Sequence, residues 1–214
     1  MRLYGYWRSS TSYRLRIALN LKQLAFENVP VDLLTAANRG ADFTARNPFG
    51  SVPLLEAGDE RFVQSMAIIE WLEEAYPEMP LLPDDVRQRY VARELAYAIA
   101  TELHAPLNLP VLRYLKSEFG RTQDEIDTYY RHILARTLIP VERRLEELGT
   151  GDFLFDKPGL FETVLIPQLY NARRFAFDLS GHPRTVRIEA ACLALPAFQA
   201  AHPDQQPDNP ETTP

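Results

Sequence analysis

Between a short strand-like run and an apolar helical pattern, the chain sets Arg8, Ser9, Ser10, Thr11 and Ser12 in succession, within "YWRSSTSYRLRIALNLK" of residues 6–22. A helix starting near Thr11 or Ser12 leaves its first N–H groups unpaired and carries partial positive charge at that end, so an anion placed there is stabilised. Hydroxyls on the preceding turn add hydrogen-bond donors. Capping the helix needs only one hydroxyl, since Ser and Thr are ordinary N-caps. Four in a row after an arginine exceed that need and point to a site for a thiolate or a carboxylate, although Ser-rich turns without chemistry are common.

Two further stretches carry related chemistry. In "NPFGSVPLLE" Pro53 follows Val52 at a strand start, where a residue without an N–H is tolerated; a cis bond there would leave neighbouring backbone groups able to pair with an extended peptide. In "QSMAIIEWLEE" Gln64 and Ser65 open another helix, whose first N–H groups suit a ligand carboxylate. Each also has a plain reading, as a strand-edge proline and as a serine cap.

The elements that must position these residues change character near "YPEMPLLPDD", residues 76–85. Before it, Leu3–Trp7, "FENVPVDLL", "VPLLE" and "ERFVQ" read as strands. A helix from about Ser12, a helical segment around Phe43 and a helix from Ser65 lie between and after them, giving β-α-β followed by α-β-β-α. The tetrad "AGDE" suits a hairpin, and the earlier connection through a helix requires a parallel pair. After Asp85 the strand signals stop, and "VRQRYVARELAYAIATEL", "TQDEIDTYYRHILARTLIPVERRLEEL", "LIPQLYNARRFAFDL" and "TVRIEAACLALPAFQAA" follow helical spacing. The expectation is an α/β thioredoxin-like domain over 1–80 and an all-α domain over 86–214. The tail "HPDQQPDNPETTP" is too polar and proline-rich to pack as a helix and is expected at the surface or mobile.

Composition narrows the function classes. The 214 residues are 46% hydrophobic, enough for a real core, and the net charge of −6 is scattered, without the basic footprint of a nucleic-acid binder. Any anionic substrate therefore needs a local site. The single cysteine, Cys192, excludes an internal disulfide framework and a thiolate metal site, and no metal is expected. No leader and no membrane-spanning stretch is read, so a cytoplasmic protein is expected.

The stretches "RSSTSYRLRIALNLK", "NPFGSVPLL", "VQSMAIIEWLEEAYP", "IPQLYNARRFAFDL" and "AFQAAHPDQQPDNP" together resemble the zeta class of the glutathione transferase superfamily, which includes maleylacetoacetate and maleylpyruvate isomerases. The likeness covers nearly the whole chain in order. Its specific motifs are the Arg-Ser-Ser run before "RIAL" and the Gln-Pro-Asp near the C-terminus.

The resemblance implies a glutathione transferase fold, glutathione as cofactor and a homodimer. Ser9, Ser10 and Thr11 match the run that holds the glutathione sulfur as thiolate, with Thr in place of Cys. Val52 matches the residue whose backbone pairs with the cysteinyl unit, Pro53 the cis-proline after it, and Gln64 and Ser65 the residues for the γ-glutamyl end. Asn38, where relatives can carry a histidine, joins the cofactor-binding set, and Arg8 and Arg174 match arginines for substrate carboxylates. Glu102 and His104 match positions that reach glutathione across a dimer interface. The implied activity is glutathione-dependent cis-trans isomerisation of a maleyl-type keto diacid in aromatic catabolism. Conjugation or dehalogenation of small α-haloacids, and glutathione binding without catalysis, are the alternatives.

The chain departs from the family pattern in three places. Gly159 and Glu162 stand where a Ser or Thr cap and an Asp are usual, which predicts a weakened capping box. The stretch "HAPLNLPVLRYL" is one residue short, and Pro110 inside it should kink or end a helix. An arginine carried by maleylpyruvate isomerases near that point has no match.

Overall fold

The computed structural model describes residues 1–210, and its contacts divide the chain into two units: Met1–Leu81 with the segment that begins at Leu193, and Leu82–Cys192.

The first unit is built on four short strands, β1 (Arg2–Gly5), β2 (Glu27–Pro30), β3 (Leu54–Ala57) and β4 (Glu60–Val63), in the order β2-β1-β3-β4. β1 runs parallel to β2, with Leu3 opposite Asn28, and antiparallel to β3, with Leu3 opposite Leu55. The parallel pair is joined through α1 (Ser10–Leu21), as a crossover demands. β3 and β4 form the hairpin, with Gly58 at φ +60°, a conformation that costs a glycine little. Between them lie a 3₁₀ turn (Ala37–Arg39) and the short α2 (Ala41–Thr44), and α3 (Ser65–Ala75) ends the α/β part. Phe43 packs with Tyr4, Val31 and Leu54.

α1 is buried continuously from Ser12 to Leu19, including Arg14 and Arg16, so it has no solvent face over those two turns. The reason is that α1 packs against α3 and also against α9 (Pro196–Ala201), a helix from the far end of the sequence. Arg16 donates from Nε to the Ala201 carbonyl at 2.9 Å, and Asn20 donates to the Ala197 carbonyl at 2.9 Å. The sequence expectation drew the helical domain through residue 214; the contacts instead group the segment from Leu193 with the α/β part. The run "TVRIEAACLALPAFQAA" also splits, into α8 (Pro183–Leu193) and α9, because Pro196 lacks an N–H and holds Leu195 extended.

The polar tail is not a loose surface segment within residues 202–210. Gln206 and Asn209 are buried, Asn28 donates to the Gln206 side chain at 2.9 Å, and Asp208 accepts from the Trp7 N–H at 2.9 Å. Polar side chains here satisfy buried backbone and amide groups, which composition alone reads as solvation. The rest of the tail lies outside the described residues.

The second unit is all-helical. α4 (Val86–Tyr97) continues into a π-helical segment (Ala98–His104), and α5 (Leu109–Ser117), α6 (Gln123–Leu148), α7 (Leu160–Arg174) and α8 follow. α7 is buried on every side from Leu160 to Leu169, Glu162, Thr163 and Gln168 included, the mark of a central helix. Leu95, Leu103, Leu134, Leu138, Phe161, Leu165 and Ile188 belong to its core. Pro110 neither kinks nor ends a helix: it lies in the first turn of α5, where its missing N–H is no loss. Glu162 keeps its half of the capping interaction, accepting from Gly159 N at 2.8 Å and Leu154 N at 2.7 Å, while Gly159 has no side chain to return. Burial pushes the Glu162 carboxyl up. Among the described residues, no helix is long and apolar enough to cross a membrane, and no group of three or more His, Cys, Asp or Glu could hold a metal.

Candidate active site

Three chain segments meet at the start of α1, each tied by a named hydrogen bond. Ser9 is the N-cap of α1: its hydroxyl accepts from the Ser12 N–H at 3.3 Å. Thr11 Oγ1 donates to the Val52 carbonyl at 3.0 Å and lies 2.9 Å from Ser9 Oγ. A carbonyl can only accept, so the Thr11 proton goes to Val52 and the proton between the two hydroxyls comes from Ser9. The result is a directed chain, Ser9 to Thr11 to Val52, that joins the helix cap to the loop before β3. Ser10 is the first residue of the helix and is partly exposed beside that chain.

The Val52–Pro53 bond is cis. The loop leading to it is held from behind: Asn38, itself buried, donates to the Gly50 carbonyl at 2.6 Å, and Asn47 donates to the Ser51 carbonyl at 2.6 Å. Gly50 is at φ +55°, and a Cβ there would meet the Asn38 carbonyl oxygen at 3.0 Å, so this turn requires glycine.

The third segment is the N-terminus of α3. Gln64 precedes it with φ 71° and ψ 105° and makes no side-chain cap hydrogen bond. Such a backbone conformation in a residue with a Cβ is strained, and strain of this kind collects at functional sites. The first turn of α3 thus presents N–H groups without a side-chain cap, the arrangement that accepts an anion. Ser65, the first helical residue, is buried, and its hydroxyl accepts from Arg14 Nη1 at 3.2 Å. Arg14 therefore links α1 to α3 as Thr11 links α1 to the cis-proline loop. Arg8 sits on the same turn as Ser9, its guanidinium 5.2 Å from the Trp7 ring centre.

In the second unit the remaining positions have partners of their own. Glu102, on the π-helical segment, accepts from Arg136 Nη2 at 2.7 Å with both side chains more than half exposed. His104 Nδ1 lies 3.3 Å from Gln168 Nε2; the amide nitrogen can only donate, so Nδ1 accepts and the ring proton sits on Nε2. Arg174 is exposed at the end of α7, 3.1 Å from Asn171 Oδ1 and 5.8 Å from the Phe175 ring centre. Phe175 in turn stacks on Tyr130 at 3.6 Å between ring centres.

The structure thus gathers Ser9, Thr11, Val52 and Ser65 around the α1 start, and it sets Glu102, His104 and Arg174 within the helical unit. Three contributors escaped the sequence reading. Arg14 was passed over because an arginine inside an amphipathic helix reads as a solvated face. Gln168 was hidden in an apolar helix. Asp208 belongs to the Gln-Pro-Asp motif, which stood out without a role; its carboxylate fixes the Trp7 N–H immediately before Arg8.

Residues 1–74 match the family model "Glutathione S-transferase, N-terminal domain". The chain is 43% identical to a maleylacetoacetate isomerase of Rhizobium meliloti, over 95% of this chain and 96% of that protein. It superposes with a TM-score of 0.95 on the holo structure of a maleyl pyruvate isomerase described as a bacterial zeta-class glutathione S-transferase, at 40% identity over 97% and 99% of the two chains. A maleylacetoacetate isomerase from Anaeromyxobacter dehalogenans, solved with dicarboxyethyl glutathione and citrate bound, gives a TM-score of 0.86 at 44% identity over 98% and 97%. With relatives this similar along its whole length, and with the hydroxyl turn, cis-proline and helix N-termini in place, the chain belongs to the zeta class of the glutathione S-transferase family.

Proposed function

We propose that this protein is a glutathione-dependent cis-trans isomerase of a maleyl-type keto diacid, maleylpyruvate or maleylacetoacetate, in the breakdown of aromatic compounds. The observation that carries the reading is the N-terminal half of α1, where the hydroxyl turn is bonded to the Val52 backbone through Thr11 and Arg14 is bonded to Ser65 at the uncapped N-terminus of α3. Glutathione has a thiol, a peptide backbone and a γ-glutamyl carboxylate, and these residues offer a fitting donor set for each: hydroxyls and a helix N-terminus, Val52 backbone groups, and the α3 N-H groups with Ser65. Bound there, glutathione supplies a thiolate that adds reversibly to the conjugated cis double bond, which allows rotation before the thiolate leaves.

The residues of this chain do the rest. The α1 N-terminus and the Ser9–Thr11 turn lower the thiol pKa from its ordinary value of about 8.5. Asn38 holds the loop that presents Val52. Arg8 on the first unit and Arg174 on the second each offer a planar fork suited to a carboxylate, and one of them stabilises the enolate charge that develops. On this reading residues 1–80 form the glutathione-binding domain, the helices from 86 on bear the substrate site, and the enzyme works in the cytoplasm.

The same reading includes a homodimer, with Glu102 and His104 near the partner's glutathione. Val86, Tyr90 and Ile139 are 79%, 65% and 59% exposed on α4 and α6. These helices, with the π-helical segment, also line a groove of about 320 Å³ that includes Leu95, Ala98, Pro140 and Val141 among charged residues. Isolated exposed apolar residues need no explanation, but exposed apolar side chains on two helices that share a groove suit burial against a second copy. A zeta-class glutathione S-transferase of Euphorbia esula also matches the chain, at 36% identity, which keeps haloacid conjugation as the second reading. Assays of maleylpyruvate, maleylacetoacetate and a small α-haloacid with catalytic glutathione decide between the readings. Isomerisation without glutathione consumption is expected; a thioether product with no isomerisation overturns the proposal in favour of conjugation.

A further inference from the structure

Arg14 is 1% exposed and is among the largest fully buried side chains of the chain. Its Nη1 donates to Ser65 Oγ at 3.2 Å, while Nε and Nη2 have no hydrogen-bond partner among the described residues. Burial alone lowers its pKa to about 9, with no neighbouring charge opposing the effect. The other buried cations of this unit are provided for. Arg16 bonds the Ala201 and Trp7 carbonyls, both at 2.9 Å, with Asp208 close enough to favour its charge. Lys22 pairs with Glu73 at 2.9 Å. A buried cation with two unsatisfied N–H groups is costly, and natural interiors keep one only with an anion or hydrogen-bond partner to complete it.

The partner it does have is the first residue of α3. A guanidinium has no acceptor, so Ser65 Oγ uses a lone pair on Arg14 and must give its own proton elsewhere. That places an outward-donating hydroxyl beside the uncapped N–H groups of α3, with a full positive charge behind it. A helix N-terminus is a common feature; a wholly buried guanidinium without a counter-charge, hydrogen-bonded to the helix's first residue, is not.

We propose that Arg14 is the buried counter-charge for the α-carboxylate of the γ-glutamyl unit of glutathione, acting through Ser65 as a positioning residue. This rests on the reading above that Gln64 and Ser65 hold that end of the ligand. Arg14 fixes the Ser65 hydroxyl as a donor, and the bound carboxylate offsets the arginine's charge.

The test uses S-methylglutathione, which removes the thiol titration, and its analogue lacking the γ-glutamyl α-carboxylate. Calorimetric Kd values for both are measured on wild type, Arg14→Gln and Arg14→Lys at pH 7. Wild type should prefer the carboxylate ligand; Arg14→Gln should lose at least about tenfold in that preference, with the analogue's Kd within about twofold, and Arg14→Lys should fall between. The ligand-free melting temperature of Arg14→Gln should stay level or rise, since an uncompensated buried charge is removed, while the shift produced by S-methylglutathione shrinks. An Arg14→Gln that melts lower and keeps the full carboxylate preference makes the arginine purely structural and overturns the proposal. If the variants do not fold, side-chain nitrogen NMR of wild type decides: the Arg14 guanidinium resonances must move with S-methylglutathione and not with the analogue. Equal movement, or none, overturns the role of Arg14. A wild type that binds neither ligand, or both alike, overturns instead the assignment of the γ-glutamyl site.

Discussion

Replacing Ser9 by alanine separates the structural work of the hydroxyl turn from its chemical work. The Ser9 hydroxyl accepts from Ser12 N and donates to Thr11, whose own proton goes to Val52, so both protons are committed inside the protein. Loss of an N-cap costs about 1 kcal/mol, and loss of the Thr11 contact adds roughly 0.5–1.5 kcal/mol. For a chain of this size, 1.5–2.5 kcal/mol corresponds to a fall in melting temperature of about 3–10 °C. Ser10 is the first residue of the helix, and replacing it leaves the Ser9–Thr11–Val52 chain intact, so the thiol titration of the two variants shows which hydroxyl donates to sulfur. Removing such a donor should raise the pKa of the bound glutathione thiol by about one unit, the equivalent of 1.4 kcal/mol. The assay pairs thermal unfolding of Ser9→Ala and Ser10→Ala with titration of the bound thiolate by its ultraviolet absorbance. Ser9→Ala should lose stability with a thiol shift well below one unit, because its proton is committed to Thr11. A full-unit thiol shift in Ser9→Ala without loss of melting temperature would refute the proton assignment and give Ser9 the direct role.

Arg8→Ala and Arg174→Ala should each lower kcat/KM for maleylpyruvate by more than tenfold with glutathione affinity nearly unchanged; values within about twofold of wild type for both remove the carboxylate role. Light scattering should give a dimer mass at micromolar concentration, and Tyr90→Glu with Ile139→Glu should shift it towards the monomer; a monomeric wild type with full activity removes the dimer and the roles of Glu102 and His104 across it. Glu162→Ala leaves the Leu154 and Gly159 N–H groups without their acceptor and should cost about 2–5 kcal/mol in denaturant unfolding. Because burial raises the folded-state pKa of Glu162, the folded state holds more proton between the ordinary carboxylate value and the raised one, so stability contributed by this group falls as pH rises through that window. Glu162→Gln should flatten that slope in a pH series of unfolding curves.

The α/β order, the parallel pair through α1 and the hairpin were legible because Leu3, Leu15, Leu55 and Ile69 keep the strand and helix periods that the core needs. The hydroxyl turn was legible because four hydroxyls exceed one cap. What the sequence concealed depends on partners far along the chain. Pro110 looks like a helix breaker until Asn108 is seen to cap α5, which makes the proline a starter. Arg14 and Arg16 each read as a solvated helix position, and the packing of α3 against α1 at Arg14 and of α9 against α1 at Arg16 buries them. Gln206 and Asp208 read as solvated because composition does not show which backbone groups, here Trp7 N, lack a partner. Asn38 was assigned by resemblance alone, and its bond to the Gly50 carbonyl gives it a loop-holding task that no local pattern announces.

The Arg16 bond to Ala201 and the Asp208 bond to Trp7 make the first unit discontinuous in sequence. During synthesis the ribosome delivers β1 through α3 long before α9 exists, so the nascent α/β segment leaves the tunnel with one flank of α1 bare and the Arg16 guanidinium lacking the Ala201 carbonyl, one of its two acceptors. The unit that bears the hydroxyl turn is therefore begun before the helical unit and completed only after it. A chain cut short of Asp208 would carry every residue of the thiol turn and still lack the contact that fixes the Trp7 N–H beside it.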